Sequence, residues 1–274
     1  DPPNIIIASR AGLSYNEFLI HLAPLVVVLL VVFIGLCRLL FRFAFRHDPQ
    51  RAAQIVALRE RDAIRDGRLL VVSLVVLAGV TAAFVLHTVL HLEPSVVAIV
   101  GGLVLLAVSR LDSGEVAKDV EWPTLVFFAG LFVMVGALVN TGVIEQISRA
   151  ATEATEGRLF FASMVLLWGS AVLSAIVDNI PYVATMSPVV AEMVNSSGDT
   201  DQSQVLWWAL ALGADLGGNA TAVGASANVV VLGIAARAGK PITFWQFTKY
   251  GLIVTVVTVA LAVPYLWLRY FAFA

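Results

Sequence analysis

GADLGGNATAVGASAN, residues 213–228, interrupts an apolar run that extends from residue 205 to residue 236. Gly213, Gly217, Gly218 and Gly224 fall inside it among small and polar neighbours. A glycine in a helix interior costs about 1 kcal/mol relative to alanine, so a continuous helix through the stretch is disfavoured. Backbone N–H and C=O groups freed at membrane depth cost several kcal/mol each unless protein, water or a ligand takes them up. The stretch therefore reads as a broken helix lining a cavity, with Gly217, Gly218 and Gly224 as its conformationally permissive points.

The rest of the chain supports a membrane setting. It is 59% hydrophobic and only 13% charged, with a mean hydropathy of +0.91. Apolar runs at 18–45, 69–90, 94–109, 122–143, 159–177 and 245–274 mostly reach the roughly 20 residues that a helix needs to cross hydrocarbon. The expected class is an all-α, polytopic integral membrane protein of the cell (plasma or inner) membrane, with the lipid bilayer as its surroundings. A net charge of -2 gives no reason to expect a nucleic-acid partner, and no catalytic group or metal site stands out. Cys37 reads as an inert buried thiol. His87 and His91, four residues apart, lack a third ligand for a metal. Trp122, Trp207, Trp208 and Trp245 fall near the ends of runs and read as interfacial anchors.

Eight arginines against four acids between Arg38 and Arg68 place that segment in the cytoplasm by the positive-inside rule. Alternating outward from it leaves 159–194 entering and leaving on one side, broken at Asp178-Asn179-Ile180-Pro181, which is the pattern of a re-entrant hairpin. Two breaks in one half suggest a transporter site. A second phrase deepens this reading. DPPNIII (1–7) matches ASANVVV (225–231), with Asn4 on Asn228, and Arg10-Ala11-Gly12 then matches Arg237-Ala238-Gly239. The two copies run in opposite orientation on this topology, as inverted repeats do. The expected division is 1–45 as the end of a first repeat, 46–68 as a basic cytoplasmic linker helix, and 69–274 as the second repeat. Within the latter, scaffold helices lie at about 69–109, the hairpin at 159–194 and the broken helix at 205–236. Paired halves imply a full protein of roughly 430 residues, of which this chain would be the later part. Pro2-Pro3 is expected to give the first copy an extended start.

At VDNIPYVATMSPVV (177–190), GGNATAVGASANVVV (217–231), EWPTLVFFAGLFVMVGAL (121–138) and DPPNIII, the sequence resembles the ion transporter superfamily. It is most similar to the arsenite permease and sodium/proton antiporter (ArsB/NhaD-like) branch, related to P-protein-like and citrate/dicarboxylate carriers, as an N-terminally truncated member. The resemblance implies an elevator-type inverted-repeat transporter. Each half would give a hairpin tip and a broken helix to a central site, in a homodimer. Here the tip would be 178–181 and the loop 219–228, with 1–4 completing the other half. Dicarboxylate carriers carry Ser-Asn-Thr at the tip, whereas this chain has Asp178-Asn179-Ile180. An arsenite permease would add a separate ATPase subunit, and no cofactor is implied beyond Na⁺ or H⁺ as coupling ion.

Each candidate residue has a functional and a local reading. Asp178 is either an intramembrane acid in ion and proton handling or the cap of the following helix. Asn179 offers an acceptor and a donor to a substrate, or caps. Asp215 is a second protonatable group, or it holds the unwound backbone. Asn219, Thr221, Ser226 and Asn228, with Asn4 from the other copy, supply hard oxygens for an ion, or merely satisfy the turn. Pro181 fixes the hairpin tip. The glycines are not a nucleotide loop, because no strand precedes them and no Walker lysine follows. The expected function is proton-coupled secondary transport of a small inorganic ion, arsenite or antimonite efflux or Na⁺/H⁺ antiport, with Asp178 and Asp215 coupling protons. The alternative is an organic-anion or chloride carrier. A non-transporting membrane assembly would instead show a continuous helix through 213–228.

Overall fold

The computed structural model describes residues 2–42, 64, 66–109, 113–198 and 200–272. Asp1 and nearly all of the expected linker at 46–68 lie outside the described residues. All the regular structure described is α-helical. The helices are α1 (Pro2–Ala11), α2 (Tyr15–Leu40), α3 (Gly67–Leu90), α4 (Pro94–Ser109), α5 (Ser113–Asp119) and α6 (Trp122–Asn140). They continue with α7 (Val143–Ala154), α8 (Leu159–Ile176), α9 (Asn179–Ser196), α10 (Val205–Gly217), α11 (Ser226–Arg237) and α12 (Phe244–Tyr270). Among them α2, α3, α6, α8 and α12 are long and apolar enough to cross a membrane. The chain is a multi-pass membrane protein.

The helices divide into two compact units. One comprises Ser14–His21 and Ile34–Trp122. In it α3 and α4 form a helical hairpin whose close contact is Val80 against Gly101, where a Cβ would stand 2.3 Å from Val80 Cγ2. Ser14 caps α2 in a reciprocal capping box with Glu17. The next residues dock on the end of α3: Tyr15 N donates to His87 Nε2 at 3.2 Å, and Asn16 Nδ2 donates to Val85 O at 2.9 Å. His91 closes α3 in the left-handed region at φ 51°. The two histidines serve helix ends.

The other unit comprises Asp1–Leu13, Leu22–Phe33 and Pro123–Ala274, and it contains the broken helix. Its centre is α10, in which every residue from Val205 to Ala214 is buried. Helices α8, α9, α12 and α1 surround it. A helix that is apolar all round is one that the fold encloses. This corrects the anchor reading of two tryptophans: Trp207 and Trp208 are 3% and 2% exposed, in the packed core. Trp122 and Trp245 stay exposed. Against α9, helix α1 is held by an apolar cluster of Leu131, Val135 and Ala184, to which Ile6 and Phe128 add.

The glycines of the opening stretch have two different roles. Gly213 and Gly217 lie within α10, spaced as G-x-x-x-G, and do not break it. A Cβ on Gly213 would stand 2.5 Å from Leu167 O, and one on Gly217 would stand 2.5 Å from Ala171 Cα and from Ala171 O. They let α10 and α8 touch backbone to backbone, the usual role of small residues between membrane helices. Only Gly218 and Gly224 belong to the break.

The sequence repeat has a counterpart in the backbone. Gly12 (φ 68°) follows α1, with Leu13 N donating to Ala8 O at 3.0 Å. Gly239 (φ 73°) follows α11, with Lys240 N donating to Ala235 O at 2.9 Å. Both are Schellman closures, for which glycine avoids the Cβ penalty of positive φ. Hydroxyl caps follow, Ser14 and Thr243, and then helices of 26 and 27 residues. One expectation fails here: Pro2 and Pro3 are not extended but form the first turn of α1. The first helical turn has no use for the missing N–H, and φ near −65° suits it.

Candidate functional site

The helix is interrupted between Gly217 and Ser226, as the residue pattern requires, and several of the freed backbone groups are taken up by side chains. Ser174 Oγ on α8 donates to Ala214 O at 2.7 Å. Thr255 Oγ1 on α12 donates to Leu216 O at 3.0 Å. The Asn228 amide donates to both Gly218 O at 2.8 Å and Thr221 O at 2.9 Å. Thr221 Oγ1 donates to Ala175 O at 2.5 Å and accepts from Gly224 N at 3.1 Å. These bonds satisfy orphaned groups in apolar surroundings, where each one left unmade costs about 1–3 kcal/mol. Gly218 and Gly224 permit the loop to close on itself: a Cβ on Gly224 would stand 2.7 Å from Gly218 O.

The turn between α8 and α9 meets this loop. Asn179 N donates to Gly224 O at 3.2 Å, and the Asn179 amide nitrogen lies 3.3 Å from the Cβ position of Gly218. Asp178 is the N-cap of α9, its Oδ1 accepting from Ile180 N at 3.0 Å, so the capping role is real. Pro181 stands in the first turn of α9, where its missing N–H is harmless. Helix α11 begins at Ala225 without a side-chain cap, leaving its first N–H groups turned towards the break.

The contact that joins distant sequence is between Asn4 and Asp215. Asn4 Nδ2 on α1 donates to Asp215 Oδ2 on α10 at 2.7 Å, across a separation of 211 residues. Asp215 Oδ1 is buried and has no hydrogen-bond partner among the described residues. Below Asp215 in the helix, Asn219 Nδ2 reaches back to Asp215 O at 3.3 Å.

The residues singled out from sequence thus converge, but they divide by role. Thr221 and Asn228 use their polar atoms to hold the loop. Asn179 binds the loop through its main chain, and among the described residues its side chain makes no hydrogen bond. Ser226 and Asn219 are exposed beside it. Three contributors were not singled out from sequence: Ser174, Thr255 and Gly251. A Cβ on Gly251 of α12 would stand 2.5 Å from Asn219 O. Their only signal is a small or hydroxyl residue on one face of an otherwise apolar helix.

Comparison with known proteins bears on what such a site does. Residues 1–213 match the citrate transporter family, CitMHS. A 46 kDa membrane protein of Mycobacterium leprae is 56% identical over 270 residues, covering 98% of this chain and 63% of the relative. An uncharacterized transporter of Mycobacterium tuberculosis is 56% identical over 271 residues, covering 99% and 63%. The human P protein is 36% identical over 230 residues, covering 81% of this chain and 27% of its own length. The chain therefore spans 63% of the length of the first two relatives. No solved structure matches it. By the match over residues 1–213, the chain belongs to the citrate transporter (CitMHS) family of the ion transporter superfamily.

Proposed function

We propose that this chain carries the second half-site, and one arm of the first, of a proton-coupled secondary transporter of a small inorganic ion. The observation that carries the reading is the Asn4–Asp215 bond at 2.7 Å. It joins a carboxyl on the broken helix to the arm that the sequence repeat assigns to the other half. An acid in the unit that carries the site can exchange a proton each time the site changes its access, because charge is costly there and neutralisation relieves it. Asp215 is the proton carrier in this reading, Asn4 orients it, and Asp178 acts first as a helix cap.

The make-up of the break favours a cation or a neutral hydroxide over a polycarboxylate. Residues 213–228 contain Asp215 and no Lys, Arg or His, and Asp178 stands at the adjoining tip. The ion is then Na⁺ in antiport with protons, or arsenite or antimonite in efflux, as in the ArsB/NhaD-like branch. A second reading is an organic-anion carrier. The family description and the uncapped start of α11 favour it, since helix N-termini attract anions. A homodimer moving in elevator fashion, with or without a separate ATPase, fits either reading.

Uptake into vesicles containing the intact protein separates them. Under an imposed pH gradient, movement of Na⁺ or arsenite is the expected result. Movement of citrate alone selects the second reading, and no flux of any of the three removes proton-coupled transport.

A further inference from the structure

Every charged residue after Asp215 is basic: residues 216–274 hold Arg237, Lys240, Lys249 and Arg269 and no Asp or Glu. Three of them, Arg237, Lys240 and Lys249, fall between the last turn of α11 and the second turn of α12. By the positive-inside rule the start of α12 is cytoplasmic. Lys240 comes four residues before Phe244, the first residue of α12, so its Cα lies within about 14 Å of that helix end.

Helix α12 has two unlike faces. Through Gly251 and Thr255 it meets the break, at Asn219 O and Leu216 O. At about 100° per residue, Trp245, Lys249, Leu252, Ile253, Val256 and Trp267 lie within about 60° of one line on the opposite side. All six are exposed. Trp245 and Trp267, 77% and 47% exposed, mark the two ends of this stripe. The rise between them is about 33 Å, against a hydrocarbon core about 30 Å thick. Tryptophans at both ends of an apolar stripe of that length are the aromatic belts of a surface that faces lipid.

Lys249 is the one charge in the stripe, and among the described residues it makes no ion pair or hydrogen bond. It stands one turn inside Trp245, about 6 Å deeper. An ammonium at that depth is costly unless it reaches the interface. Side chains on a helix lean towards its N-terminus, here the cytoplasmic end, so the Lys249 stem runs back towards Trp245 and brings its ammonium to headgroup level.

We propose that Lys249 and Trp245, in the positive field of Arg237 and Lys240, seat the headgroup phosphate of an anionic phospholipid in the cytoplasmic leaflet. The ammonium pairs with the phosphate, the amphipathic indole packs beside it, and the acyl chains cover Leu252, Ile253 and Val256. A free anion would leave that apolar stripe bare. The lipid braces from outside the helix whose other face closes on the break, and the seat does not depend on which ion is carried.

The test is thermal unfolding of the intact purified protein in neutral detergent, titrated with dioleoylphosphatidylglycerol or with dioleoylphosphatidylcholine. The wild type should gain more Tm from the anionic lipid, because a ligand bound to the folded state stabilises it. K249Q should need about fivefold more anionic lipid for the same gain, the worth of one lysine near an anionic surface. K249R should stay within about twofold of wild type, and K249M, held to the fivefold criterion, replaces K249Q if that variant is not monodisperse. K118Q removes an exposed lysine from the other compact unit and should titrate as wild type does. A K249Q titration that matches wild type overturns the seat, and an equal loss in K118Q overturns it in favour of general surface charge. A wild type that responds alike to both lipids, or as strongly to inorganic phosphate, overturns it too.

Discussion

Replacing Gly217 by alanine tests whether α10 and α8 are held backbone to backbone. The new Cβ would stand 2.5 Å from both Ala171 Cα and Ala171 O, and 2.9 Å from Ala171 C. Ordinary C···O contacts run at about 3.3–3.6 Å, so the helices must part by roughly 1 Å. The obstructing atoms are main chain, and no rotamer change relieves them. Overpacking of this kind costs about 1–3 kcal/mol. Ser174 Oγ to Ala214 O and Thr221 Oγ1 to Ala175 O cross the same interface at 2.7 and 2.5 Å. Each contributes about 1 kcal/mol and weakens as the gap opens. Alanine returns up to about 1 kcal/mol of helix propensity. The net expectation is a loss of about 1–4 kcal/mol in G217A. G136A is the control, since a Cβ there meets nothing within 4 Å and should leave stability unchanged or raise it. Thermal unfolding of both variants in detergent decides the matter. A G217A protein as stable as G136A would refute the close contact.

Three other substitutions test separate links. Asn228→Ala removes both donors that hold Gly218 O and Thr221 O, and should lower stability by about 2–4 kcal/mol and abolish transport; unchanged uptake would show that the loop does not depend on it. Trp208→Ala should cost about 3–5 kcal/mol as a core residue, whereas a change under about 1 kcal/mol in the unfolding of W208A would return it to the membrane interface. Thr255→Val leaves Leu216 O without its side-chain donor and should cost about 1–3 kcal/mol, read by the same unfolding scan.

The sequence made some of these features visible and hid others, for physical reasons. Long apolar runs separate cleanly into helices because hydrocarbon requires internally bonded backbone. The break at 218–225 is legible because glycines and small polar residues concentrate there. The same composition misleads at Gly213 and Gly217: a glycine that breaks a helix and one that lets another helix approach look alike until the facing Leu167 and Ala171 are known. Trp207 and Trp208 looked like anchors because they stand at the end of a run, and only the enclosing helices make that end a core. The types at Asn4 and Asp215 marked both as polar groups in apolar surroundings. Their pairing across 211 residues was not legible, although the Asn4–Asn228 repeat pointed to the right arm. Gly251 and Thr255 were out of reach because what they touch is carbonyl oxygen, which carries no residue identity.

The central claim is that Asp215, oriented by Asn4, carries the coupling proton. It is tested most directly by reconstituting the intact protein in vesicles, imposing a pH gradient, and following substrate uptake and lumenal pH together for wild type and Asp215→Asn. The account expects the wild type to move substrate and protons in step, and D215N to bind substrate yet lose at least about tenfold of the gradient-driven flux. Proton-linked uptake in D215N equal to wild type would contradict it.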